Sequence, residues 1–249
     1  MIDFITSFLI GVLSSLIAVV IIKVGNRYVR NREMRAILNF GTDDLLFVLP
    51  HREEQPDAVL PRAATEDILA MNNILSAIIR TGWQGQIRIR DVEHLQESEK
   101  TKNIVTIGGA KINRFTNEVL GESPKVGEFI CDGTESSHWK IAKGTQALFS
   151  SDSYLHRTDE SCELSDSAIL AKLTNSRNPQ SKILVVAGIR GIGTWAAAEY
   201  VRKHARDIYK RKRSNDGFRK SGDFALVLEA KYKDFDIIRA DVKQFDDIS

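Results

Sequence analysis

The chain has 249 residues, 35 of them lysine or arginine and 33 aspartate or glutamate, for a net charge of +2. So balanced a composition lacks the basic excess of a nucleic-acid binder, and no nucleic-acid partner is expected. The two cysteines, Cys131 and Cys162, fit a reducing compartment and offer no metal-ligand spacing, so neither metal nor cofactor is expected.

From Phe4 to Ile22 the sequence runs nineteen residues without a charge, and Lys23, Arg27, Arg30, Arg32 and Arg35 follow. At about 1.5 Å per helical residue, that run crosses a hydrocarbon core about 30 Å thick. The basic cluster lies on one flank, with Asp3 the only charged side chain on the other. The positive-inside bias then gives a single-pass anchor (residues 1–25) in the inner, or plasma, membrane, with the rest of the chain cytoplasmic and the lipid bilayer as its first partner. A cleaved signal would carry its positive charges before the apolar run, and Lys23-Val24-Gly25-Asn26 is a poor cleavage site. A buried core helix is the other alternative, although such helices rarely run five turns without a polar face. Ser7, Gly11 and Ser15 recur four apart, a small-residue ridge through which two copies would pair as a homodimer.

Residues 26–40 read as a basic helix or linker, and residues 41–249 as one domain large enough for a substantial core. Asp44 to Pro50 is a continuous apolar run ended by proline, the pattern of a buried parallel strand. Thr65 suits an N-cap with Glu66 and Asp67 in the first turn, and Ile68, Met71, Leu75 and Ile78 recur at helical spacing up to Gly82. Gln86 to Val92 is a short strand, Asn103 to Ile107 a stronger one, and Arg114 to Leu120 a helix. Between residues 127 and 173, the runs Glu128–Cys131, His138–Ala142, Gln146–Phe149 and Ala168–Leu173 are separated by turn residues without helices, which predicts an antiparallel meander. Lys182 to Ala187 is then a core strand, Gly188 to Gly193 a glycine loop, and Thr194 to about Arg211 a helix. Phe224–Leu228 and Asp236–Asp241 close the chain as strands. The sum is an α/β chain: a single transmembrane helix, then a Rossmann-like, mostly parallel three-layer sheet with a meander insertion.

The chemical signal lies in two strand–glycine–helix junctions. In Gly188-Ile189-Arg190-Gly191-Ile192-Gly193-Thr194 a buried strand passes through glycines into an alanine-rich helix. Glycines let a ligand approach the backbone, and free N–H groups at a helix start favour an anion. The spacing departs from the dinucleotide fingerprint, and no Gly-Lys-Ser/Thr is present, so a plain strand–helix turn is the competing reading. Gly108-Gly109-Ala110-Lys111-Ile112-Asn113-Arg114 repeats the layout. Two such loops in one sheet would line one crevice, so the candidate ligand-binding residues are Gly108, Gly109, Lys111, Asn113, Gly188, Arg190, Gly191, Gly193 and Thr194, with Arg114 a further donor.

Gly191-Ile192-Gly193-Thr194 resembles the Gly-x-Gly-Thr core of the phosphate loop in lysine-decarboxylase-like Rossmann proteins, a group of phosphoribohydrolases and related nucleotide-sensing domains. Those enzymes carry a glycine just before the core and a glutamate three residues after its threonine, where this chain has Arg190 and Ala197. The resemblance implies a membrane-anchored sensor of a nucleotide-like ligand.

No catalytic residue is assigned from the sequence. His51, His94, His138, His156 and His204 are scattered without metal spacing and read as surface residues. Glu53 or Glu54, after the first strand, would be the acid or base if the chain were instead a glycosidic-bond hydrolase or transferase acting on a nucleoside or nucleotide. A third reading is a membrane scaffold with no ligand. Trp195 either stacks on a base or packs in the core. The basic run from Arg202 to Lys220 is a solvated helix end or a contact with anionic lipid.

Overall fold

A computed structural model of the chain describes residues 2–41, 43–51, 64–131, 139–143, 146–151, 163–214, 222–234 and 236–248. The side chains of residues 2–18, 20, 143, 146–148 and 247 lie outside that description. One helix, α1 (Ile2–Ile37), opens the chain, followed by β1 (Leu45–Leu49), α2 (Thr65–Arg80), β2 (Ile87–Asp91), β3 (Asn103–Ile107) and α3 (Arg114–Gly121). Three short strands come next: β4 (Glu128–Cys131), β5 (Trp139–Lys143) and β6 (Gln146–Ser150). The chain then forms β7 (Leu164–Asn175), β8 (Asn178–Gly188), α4 (Gly191–Ser214), β9 (Phe224–Lys233) and β10 (Asp236–Asp247).

The main sheet has seven strands in the order β10-β9-β7-β8-β3-β1-β2. β2, β1, β3 and β8 pair in parallel, while β7 turns back against β8, β9 against β7 and β10 against β9. β9 therefore points the same way as β8, and the sheet is mostly one-directional. β1 and β3 are buried at every residue, as strands covered on both faces must be. Leu45, Phe47 and Leu49 face a core shared with α2, α4 and the end of α1. Leu46 and Val48 face a second core with α3, Ile141 of β5 and Ile169 of β7. These are the three layers of a Rossmann-like α/β fold.

The meander expected over residues 127–173 is shorter than its sequence pattern suggests. β4, β5 and β6 do form a separate antiparallel sheet, but Ala168–Leu173 belongs to β7, inside the main sheet between β8 and β9. Covered on both sides, β7 is buried almost throughout despite carrying Ser165, Asp166, Ser167 and Lys172. Asn175 pairs with Asn178 across the turn Ser176-Arg177, and its side-chain oxygen accepts from the Arg177 N–H at 3.0 Å. That turn extends β8 back to Asn178.

Thr65, expected as a cap, is instead the first helical residue of α2; Ala64 precedes it in extended conformation and makes no side-chain capping bond. Ala70, Ile74, Ala77 and Ile78 form the buried stripe of α2, which ends at Arg80, with Thr81 as its C-cap and Gly82 beyond it at φ +81°.

The last turns of α1 are part of the core: Met34, Ile37, Leu38 and Phe40 are buried with α2 and α4. Arg35 donates through Nε to the Thr81 carbonyl at 2.9 Å, joining the carboxyl ends of α1 and α2. At the opposite end, the Glu66 side chain of α2 lies against Gly191 at the start of α4. The three helices on this face therefore run parallel, with their amino ends toward the carboxyl edge of β1, β3 and β8.

Among the described residues, no helix is long and apolar enough to cross a membrane. The side chains of Phe4 to Ala18, most of the apolar run, lie outside those residues, as do those of Ser7, Gly11 and Ser15.

Candidate functional site

Open α/β sheets bind ligands at the carboxyl edge, where neighbouring strands send their helices to opposite faces. β1 leads to α2 on one face, β3 to α3 on the other, and β8 to α4 back on the first. The crevice above β1, β3 and β8 is thus the candidate site, and both glycine loops open onto it. The pairing of Ile107 with Val186 sets the two loops side by side, and the Gly108 N–H donates to the Val186 carbonyl at 3.0 Å. Gly108 has φ +98° and packs on the Pro50 ring; a Cβ on Gly109 would lie 2.3 Å from the Gly188 carbonyl oxygen. Gly108, Gly109 and Gly188 are therefore brought into backbone contact that only glycine permits.

The start of α4 is differently occupied. The helix begins at Gly191, three residues before the sequence pattern suggests, and several N–H groups around its start already have acceptors. The Gly188 N–H donates to Thr194 Oγ1 at 2.9 Å, and the Ile189 N–H to the Ser167 carbonyl at 2.8 Å. The N–H groups of Gly193 and Arg190 donate to Asp166 Oδ2 at 2.6 and 3.2 Å. Asp166 is fully buried on β7 and also accepts from the Ser167 N–H at 2.8 Å. Burial pushes its carboxyl up to about 6, against the Gly193 N–H, the Ser151 hydroxyl, the Ser167 N–H and the Arg190 charge, all of which favour the ionised form. Arg190 Nε donates to Ser151 Oγ at 3.1 Å, so its side chain closes the same network. A Cβ on Gly193 would lie 2.7 Å from Asp166 Oδ2, so this glycine makes room for the protein's own carboxylate. With Glu66 against Gly191, two carboxylates already stand at the positive end of the α4 dipole. An anion arriving there would have to displace one and face the other. Asp166 escaped the sequence reading because its only signal is a charge inside a strand 25 residues before Gly191.

On the other loop, Asn113 is buried and caps α3: its Oδ1 accepts from the N–H groups of Phe115 and Thr116, each at 3.1 Å. Its Nδ2 donates to the Ile107 carbonyl at 2.8 Å and to Thr106 Oγ1 at 3.1 Å. Asn113 is thus built into the framework. Lys111 is exposed, and the N–H groups of Ala110 and Lys111 meet no acceptor among the described residues. Arg114 pairs with Glu93 at 3.0 Å, away from the loop tip.

One pair at this edge was not read from the sequence. His51, just beyond β1, lies with Nδ1 2.8 Å from Oδ2 of Asp91, the last residue of β2. Asp91 Oδ1 accepts from the Glu93 N–H at 2.7 Å, which fixes the carboxylate. An imidazole oriented by a carboxylate is an acid–base group. β1 and β2 are adjacent in the sheet, but 40 residues separate His51 from Asp91, so no local motif marks the pair. Glu53, Glu54, His138 and His156 lie outside the described residues. His204 stacks on Tyr200 within α4, ring centroids 4.7 Å apart, and Trp195 packs against the cluster of Leu164, Ile192 and Tyr232. Among the described residues, no group of three histidine, cysteine or acidic side chains is placed to hold a metal.

Sheet order, layers and crevice define an α/β protein of Rossmann-like type with a small antiparallel sheet inserted after α3. Compared with known proteins, the chain matches no family model, no curated protein and no solved structure.

Proposed function

We propose that the chain is a single-pass inner-membrane protein whose cytoplasmic domain binds a nucleotide-like or other anionic small molecule, as a sensor or regulator. The observation that carries the binding half is the glycine contact at the crevice, beside the unengaged N–H groups of Ala110 and Lys111 and the exposed Lys111 ammonium. The ligand docks on this loop, since at the start of α4 the Arg190 and Gly193 N–H groups serve Asp166 and the Glu66 side chain lies against Gly191. The anchor half rests on the uncharged run Phe4–Ile22 with its one-sided basic flank, on a helix that continues unbroken to Ile37. The likeness to lysine-decarboxylase-like phosphate loops supports the ligand class, while Arg190 and Ala197 at the departures speak for binding without that family's hydrolysis.

The test is a thermal-shift screen of the full chain in detergent against nucleotides and other anionic metabolites. A ligand at a hundredfold excess over Kd adds about 2.7 kcal/mol of stability. Lys111→Glu, an exposed change, should abolish the shift without altering the unliganded midpoint. No shift with any of these compounds would sink the sensor and favour a scaffold.

The His51–Asp91 pair favours a second reading, hydrolysis of a nucleoside or nucleotide glycosidic bond in the same crevice, with His51 taking a proton from water. Release of free base that disappears in His51→Gln would establish it; binding without turnover would dismiss it.

A further inference from the structure

Two basic stretches far apart in the sequence line one groove. Lys23, Arg27 and Arg30 of α1 face Arg202, Lys203 and Arg206 of α4 around a cavity of about 460 Å³. Against these six cations the groove wall carries, among the described residues, one acid, Glu33, 3.7 Å from Arg206 Nε. Glu199, one turn back on α4, pairs with Lys203 and lies 3.6 Å from Arg202 Nη2. The groove is therefore left with surplus positive charge. Arg202 Nε is buried yet meets no acceptor among the described residues. A desolvated guanidinium N–H of that kind is costly, and an oxygen entering the groove would relieve it.

Its position selects the oxygen's source. α1 and α4 run parallel, with Glu33 beside Arg206 and the Ala36 carbonyl beside Lys212. α4 is kinked at His204, where φ is −117° and ψ is 25°, so its part before the kink, back to Gly191, does not continue the line that runs beside α1. The groove begins at Lys23, the first residue after Ile22. If the apolar run Phe4–Ile22 spans the bilayer, the groove lies at the depth of the lipid phosphates.

We propose that this groove binds the phosphate of an anionic phospholipid headgroup in the cytoplasmic leaflet, seating the domain on the membrane from which α1 emerges. The proposal rests on the membrane-anchor reading given above. Arginine forks suit a phosphate bidentately, and a cluster of basic residues beside a span is what attracts acidic lipid.

The experiment uses the full chain in an uncharged detergent, incubated with phosphatidylglycerol, phosphatidylcholine or inorganic phosphate, with retained lipid counted by native mass spectrometry. Phosphatidylglycerol should be retained and phosphatidylcholine not, and inorganic phosphate at the lipid's concentration should not compete. Arg202→Gln with Arg206→Gln should weaken retention about tenfold or more, the loss expected for two basic side chains at an anionic surface. Arg239→Gln with Lys243→Gln, on β10, should leave it unchanged. If circular dichroism shows the α4 pair misfolded, the exposed Arg27→Gln and Lys203→Gln serve instead, each with a smaller loss. Equal retention of both lipids, equal retention by the groove variants, or competition by free phosphate would overturn the proposal. Alkaline carbonate extraction of membranes from expressing cells tests the anchor separately. Extraction of the chain with lipid selectivity intact would reject the anchor alone; a membrane-bound chain without selectivity would reject the headgroup site alone.

Discussion

The Nζ of Lys172, buried on β7, donates to the carbonyl oxygen of Asn39 at 2.9 Å, across 133 residues of sequence. It is one of three side chains that close the end of α1. Lys212 Nζ lies 3.5 Å from the Ala36 carbonyl oxygen, and Asn103 Nδ2 donates to that of Phe40 at 2.8 Å. Carbonyls at a helix terminus lack partners within the helix, and its negative dipole end favours cations. The two ammonium groups also sit over the rings of Phe40 and Phe224, at 5.6 and 5.2 Å. The first helix is thus fixed into the domain through charge as well as through Met34, Ile37 and Leu38.

Lys172 gives this joint a pH dependence. Burial, with the nearby Lys182 charge, pushes its ammonium down to about 8, opposed by Asp223. An ammonium depressed in the folded state contributes stability above its unfolded pKa, and that contribution is lost as pH falls through the folded one. Relative to Lys172→Met, the wild-type chain should therefore gain about 3 kcal/mol of unfolding free energy between pH 8 and 10.5, at about 1.36 kcal/mol per unit. Denaturant titrations of both proteins across that range check it. A difference that stays flat would mean the amine is solvated.

Asp166 has the opposite sign. Its carboxyl is raised to about 6 by burial, above the unfolded value, so its contribution is complete below pH 3.8 and lost as pH rises through 6. The stability of wild type minus that of Asp166→Asn should fall by about 3 kcal/mol between pH 4 and 6. The same denaturant titrations, run in acid, measure it. A difference that rises instead would show that the Gly193 and Ser167 N–H bonds outweigh burial.

Asn113 and Lys111, neighbours in one glycine loop, should separate cleanly. Asn113→Ala removes the α3 cap and leaves the bonds to Thr106 and Ile107 unmade, which should cost about 2–4 kcal/mol. Lys111→Gln changes an exposed side chain and should stay within about 0.5 kcal/mol of wild type. Thermal unfolding midpoints distinguish the two. Equal losses would mean that Lys111 is held more firmly than its exposure indicates.

What the sequence made legible and what it hid follow one physical division. β1, α2 and β3 were readable because burial alone selects their residues: continuous apolar runs for the strands, a 3.6-residue stripe for the helix. β7 was readable only over Ala168–Leu173, and its extent and its place in the main sheet were not, because its buried polar residues are satisfied by distant partners. Ser167 Oγ donates to the Ser150 carbonyl, Asp166 caps α4, and Lys172 reaches α1. A stretch such as Ser165-Asp166-Ser167 looks like a turn until its partners are known. The candidate site divides in the same way. Its glycines are visible in sequence because backbone approach leaves a residue-type signature. What fills the space beside them, a carboxylate at Gly193 and a neighbouring strand at Gly109, depends on register.

Helix direction supplies the last prediction. α1, α2 and α4 have their amino ends on one side, so a bilayer-spanning α1 turns the carboxyl edge of the parallel strands toward the membrane. Lys111 stands beyond β3 at that edge, whereas Gln84 precedes β2 at the other, about 17 Å away along a five-residue strand. With Cys131 and Cys162 replaced by serine, a fluorophore on Lys111→Cys should be quenched by spin-labelled headgroups in reconstituted vesicles. The same fluorophore on Gln84→Cys should be quenched much less. Quenching strongest at Gln84 would mean that the crevice faces away from the leaflet, and a ligand would then reach it from the aqueous side alone.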